Sequence, residues 1–95
     1  MSYRSEFPDY DGDFYCPQGW IDNSWHNNMS PHCEKRDETK GVRFLIWQNY
    51  IDVEKRENED EDRYVVQIET NGWVVYTYET DDLAKVEEFV KGVVI

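Results

Sequence analysis

Two cysteines and two histidines fall within eighteen residues: Cys16, His26, His32 and Cys33. Thiolate and imidazole are the ligands structural zinc prefers, and irregular chain is what such an ion can order. The spacing, C-x9-H-x5-H-C, departs from the usual pairs about two to five residues apart, and adjacent His32 and Cys33 are awkward to seat on one tetrahedral ion. A small zinc-stabilised module is therefore the alternative reading. The leading one has ordinary thiols and surface imidazoles, with no metal and no other cofactor. A Cys33–His32 nucleophilic pair fits less well, because the imidazole must reach the sulfur in space rather than adjoin it in sequence. Asp9-Tyr10-Asp11-Gly12-Asp13 resembles a fragment of a calcium loop, but its glycine is displaced and no bidentate Glu follows at the required distance. An Asp-rich turn is the expectation there. No convergent acid–base set is visible, so the chain reads as a non-enzyme.

The strongest charge feature is the run from Tyr50 to Arg63. It holds seven carboxylates (Asp52, Glu54, Glu57, Glu59, Asp60, Glu61, Asp62) against Lys55, Arg56 and Arg63. The chain as a whole carries -11 over 95 residues. Residues 1–33, 50–63 and 64–95 each contribute -4, and residues 34–49 contribute +1. Such a field repels nucleic acid and anionic lipid and attracts basic surfaces. Direct nucleic-acid binding is disfavoured further, since Lys35, Arg36, Lys40 and Arg43 are interrupted by Glu34, Asp37 and Glu38 and make no continuous basic track. A solvated loop that aids solubility is the competing account of the acidic run. Trp20 and Trp25 flank an Asp-Asn-Ser turn. They either seal one edge of the sheet or, as aromatic anchors, join a recognition surface.

The elements that must position these groups divide near residue 41. Residues 1–41 contain all three prolines, three of the five glycines and no sustained period. They read as an irregular, aromatic-rich layer, either a functional loop region or an arm. From Val42 the pattern sharpens. Residues 42–50 form a β-rich run with apolar residues on both parities, as in a strand covered on both faces. Residues 64–69 and 73–78 flank Asn71-Gly72, the strongest short hairpin signal. With those two residues as the loop, Ile68 opposes Val75. Tyr64, Val66, Ile68, Trp73, Val75 and Thr77 then share the better core face, and Val65, Gln67, Glu69, Val74, Tyr76 and Tyr78 the other. Thr80 is a fair N-cap for a C-terminal helix with Leu83, Val86, Phe89 and Val90 on one stripe and Gly92 as a left-handed stop.

The expected fold is α+β: one domain over residues 1–95, with an irregular layer (1–41) and a β-β-β-α core (42–95) whose sheet is three-stranded and antiparallel, with room for an extra short strand from residues 1–33. Ninety-five residues leave room for a single core. Hydrophobic content is 39% and charged content 33%, values that lean toward disorder. Four Trp, seven Tyr and four Phe offset this, since each buried ring removes roughly 150–250 Å² from water. No apolar run approaches the roughly 18–20 residues of a membrane span, and Met1–Glu6 lacks a basic segment leading into an apolar one. A cytoplasmic chain with reduced thiols and no membrane partner is expected.

In size, charge and aromatic richness the chain resembles the small acidic proteins that phages and other mobile elements use to block host nucleic-acid-handling machinery, among them anti-CRISPR and DNA-mimic inhibitors. That likeness is to a class and carries no residue roles. It implies a non-enzymatic inhibitor or modulator that presents Asp52, Glu54, Glu57, Glu59, Asp60, Glu61 and Asp62 to a basic protein surface, with Trp20 or Trp25 as apolar anchor.

Overall fold

A computed structural model describes residues 2–93. Its fold is α+β, with a five-stranded antiparallel sheet and a C-terminal helix. In chain order the elements are α1 (Tyr3–Glu6), β1 (Ile21–Asp22), β2 (His32–Asp37), β3 (Val42–Gln48), a 3-10 turn (Val53–Lys55), β4 (Tyr64–Thr70), β5 (Trp73–Thr80) and α2 (Leu83–Lys91). The strands lie in sequence order, each antiparallel to the next.

Residues 1–41 thus supply two strands to a sheet expected to have three. β2 reads His-Cys-Glu-Lys-Arg-Asp, a composition with little β-propensity of its own. β3 supplies the reason it is extended. Its Leu45 and Ile46 are both fully buried, on opposite faces, and a strand covered on both faces needs a neighbour on each side. Cys33 lies across from Ile46, and Glu34 from Leu45.

The two-residue loop between β4 and β5 forms as the sequence predicts. Asn71 and Gly72 have φ of 51° and 85°, the positive values a type I′ turn requires. The β2–β3 turn packs against this loop. Gly41 has φ 65°, its carbonyl accepts a 2.9 Å bond from the Asn71 N–H, and a Cβ on it would lie 2.5 Å from Asn71 Oδ1.

The face assignment of β5 is corrected. Ile68 pairs with Tyr76, whereas Glu69 pairs with Val74, so Val75 is an extra residue in a β-bulge. Beyond it the alternation flips. Tyr76 and Tyr78, rather than Val75 and Thr77, share the face of Tyr64, Val66 and Ile68. α2 lies on this face. Val86 is fully buried, and the Phe89 ring is parallel to Tyr76 at 6.4 Å and edge-on to Phe44 at 6.5 Å. Asp82, not Thr80, is the N-cap, and its carboxylate accepts from the Ala84 N–H. Thr80 Oγ1 instead accepts from the Asp82 N–H. Gly92 caps the C-terminus with φ -79°, so the expected left-handed stop is not used.

The core joins Trp20, Cys33, Ile46, Tyr64, Val66 and Val86, with Phe14, Tyr15 and Cys16 packed against it. The N-terminal layer is held there by two reciprocal bonds. Buried Gln48 accepts from the Tyr15 N–H at 2.7 Å and donates to the Tyr15 carbonyl at 2.6 Å, as a neighbouring strand would. Tyr3 stacks on Phe14 at 4.6 Å and meets Tyr10 edge-on, and Tyr10 meets Tyr50.

Candidate interaction surface

The acidic run leaves β3 after Gln48 and re-enters the sheet at Tyr64. A long charged loop would ordinarily be loose, because its ordering entropy is offset by little burial. Here its two arginines turn inward onto main-chain oxygens. Arg56 donates to the carbonyls of Tyr50 (2.6 Å) and Glu61 (2.8 Å). Arg63 donates to the carbonyls of Asn49 (2.7 Å) and Asp13 (3.2 Å) and to the Tyr10 hydroxyl (2.9 Å). Its guanidinium also lies over the Tyr64 ring, 4.9 Å from the centroid.

The N-terminal layer braces the same loop. Asp11 accepts the Ile51 and Asp52 N–H groups on its two oxygens, at 2.8 and 2.9 Å. Burial pushes its carboxyl up, and the two amides outweigh that and hold it below the ordinary value. Tyr50 donates to Asp9 at 2.8 Å, and buried Asn49 donates to Glu61 and to the Asp62 carbonyl. The Asp9–Asp13 segment is thus an Asp-rich turn with a bracing role that sequence reasoning did not assign. Its partners lie about forty positions away, a distance no local pattern spans.

With the arginines so engaged, the loop carboxylates remain unpaired. Asp52, Glu54, Glu57, Glu59 and Asp60 are exposed, Glu61 and Asp62 are half-buried, and among the described residues none of the seven is in an ion pair. Asp81 and Glu79 close the end of β5 beside them by accepting from the Arg63 and Asp62 N–H groups. One end of the sheet is therefore an ordered, outward-facing display of carboxylates.

The two aromatic anchors part company. Trp20 is 9% exposed and belongs to the core, so it is withdrawn as a contact residue. Its indole belongs to the cluster of Cys33, Ile46 and Val66. Trp25 is 41% exposed, with its ring tilted against His26 at 4.2 Å.

The zinc set does not converge. Successive residues of β2 point to opposite faces, so Cys33 enters the core while His32 lies on the other side against Trp47. His26 Nδ1 is 3.0 Å from Glu6. Among the described residues no three His, Cys, Asp or Glu side chains are grouped to hold one ion. Both cysteines are free thiols, and burial raises both, Cys33 far above the ordinary range.

A second polar cluster went unseen in the sequence. Glu34 on β2 has a side chain only 3% exposed. It accepts from Asn23 Nδ2 (2.8 Å), His32 Nε2 (3.1 Å) and Arg36 Nε, with Arg43 Nε 3.8 Å away. Burial pushes its carboxyl up, but these neighbours outweigh it and bring it down to about 2. Burial lowers His32, against the opposing pull of Glu34. A cleft of about 450 Å³ runs past Glu34, Asn23, Arg36 and Ile21. A carboxylate held this low is a poor general base near neutrality. Glu34 alternates with Cys33 and Lys35 along β2; that alternation was the one sequence signal that could have placed it opposite the helix.

No helix among the described residues is long and apolar enough to cross a membrane. Comparison with protein-family models, with curated proteins and with solved structures finds no match.

Proposed function

We propose that this chain is a non-enzymatic acidic binding protein, an inhibitor or modulator that presents the carboxylates of its 50–63 loop to a basic surface on a nucleic-acid-handling protein in the cytoplasm. One observation carries the reading: the loop's arginines hold its backbone and leave its carboxylates out of ion pairs. A loop serving only solubility has no need of a fixed shape, whereas a surface that docks gains from preorganisation, since less ordering remains to be done on binding. Trp25 is the accessible aromatic near this end of the sheet. The overall charge of -11 favours cationic partners and fast, salt-sensitive association. The resemblance to phage-type inhibitors of such machinery points the same way.

The test begins with affinity capture from a lysate and elution by a salt step. Association of the captured protein is then followed with wild type and with Glu54→Gln/Glu57→Gln/Glu59→Gln/Asp60→Asn, four exposed side chains. The expected result is association slowed about tenfold or more at low salt with a flattened salt dependence. Unchanged kinetics would remove the proposal.

A further inference from the structure

β5 carries a surface of another kind. From Trp73 to Tyr78 it has no charged residue and no proline, and it is the last strand of the sheet. Trp73 is 78% exposed and Val75 63%, with Val74 and Tyr76 also open. An edge strand offers unpaired N–H and C=O groups in a row, which natural sheets usually guard with lysine, proline or a covering segment. Here the guard is the bulge at Val75, which leaves Tyr76–Thr80 in regular pairing with β4.

We propose that a second copy of this chain adds to β5, antiparallel across a two-fold axis near Thr77, so that two five-stranded sheets become one. A two-fold contact must be self-complementary, and about Thr77 no two like charges face each other: Tyr76 falls opposite Tyr78, Val74 opposite Thr80 and Val75 opposite Glu79. Charge placement favours this arrangement over a parallel one. The acidic loop adjoins the Thr80 end of β5, and the turn end lies beside the β2–β3 hairpin, where residues 34–49 carry +1. Antiparallel addition sets each acidic end beside the other copy's turn end. The two acidic ends then lie roughly 20 Å apart at about 3.3 Å per residue, more than twice the roughly 8 Å screening length at physiological salt. The open side chains of Trp73, Val74, Val75 and Tyr76 offer roughly 500 Å² per copy, a patch at the upper end for monomers and about 1,000 Å² for the pair, the lower bound of a specific interface.

Sedimentation equilibrium of the full chain, at low and at high salt, tests this. The expected result is a monomer–dimer equilibrium that tightens as salt rises, because salt screens the mutual repulsion of two acidic bodies. Val74→Lys/Thr77→Lys should weaken the dimer at least tenfold. Both positions are exposed, and the change makes the chain less negative, so the loss would come from lysines at the strand edge and not from the overall repulsion of two acidic bodies. A chain that stays monomeric to about 0.5 mM at high salt, a double variant that dimerises as wild type does, or a dimer that weakens with salt would each overturn it. The salt response is opposite in sign to that expected of the acidic loop. The four-residue loop neutralisation should leave the dimer intact or tighten it, so the two surfaces fail independently.

Discussion

At Glu34 four neighbours close around a single buried carboxylate; in the 50–63 loop two arginines pass over seven carboxylates and bind main-chain oxygens. The residue types are the same, and the uses are opposite. A carboxylate 3% exposed must be satisfied, because a buried unpaired charge is costly. Exposed ones need no partner, so the guanidinium groups are free to fix the loop's shape. Acid at Glu34 serves the fold. Acid in the loop is left available.

Removing Glu34 should break that contrast most severely. Glu34→Ala leaves His32, Arg36 and Asn23 without their shared acceptor, and a loss of about 3 kcal/mol or more is expected in urea unfolding. A loss under about 1 kcal/mol would mean that the cluster is not structural. Arg63→Ala comes next. It deletes three donors to oxygens and should cost about 2 kcal/mol, with limited proteolysis opening within residues 49–63 while the sheet stays intact.

Acid should sharpen the difference without a mutation. Glu34 is held at about 2 against an ordinary 4.5, and His32 is held below its ordinary 6.5. In both windows the unfolded chain binds more protons than the folded one, so stability falls as pH falls. His32 contributes fully above 6.5, and its share is lost as pH drops below that value. Glu34 contributes fully above 4.5, and its share drains between there and about 2. Tm measured from pH 7 downward should decline throughout, and Glu34→Ala should flatten the limb below 4.5. The smallest effect is expected in the loop itself. Glu54→Gln/Glu57→Gln/Glu59→Gln/Asp60→Asn should shift stability by no more than about 0.5 kcal/mol, and a large loss would return those carboxylates to a structural role.

Much of the framework was legible. β3, the Asn71-Gly72 hairpin and the helical stripe of Leu83, Val86, Phe89 and Val90 are local patterns, and each forms where its period places it. β2 was not legible, because His-Cys-Glu-Lys-Arg-Asp becomes a strand through β3's need for a neighbour rather than through its own propensity. Trp20 and Trp25 are alike in composition and context; only tertiary packing sends one inside. The bracing of the loop by Asp11 and Tyr10 and the gathering of Asn23, His32 and Arg43 at Glu34 are long-range events.

Val75 gives the outer strand a phase. Were the same residues paired without the bulge, Val75 would fall opposite Ile68 and every side chain downstream would be rotated to the opposite surface, sending Tyr76 and Tyr78 away from Phe89. Strand β5 can therefore absorb many substitutions on its solvent side, but deleting Thr77 would act as a frameshift in space, making Tyr76 and Tyr78 neighbours and sending one of the two rings to the surface away from the helix.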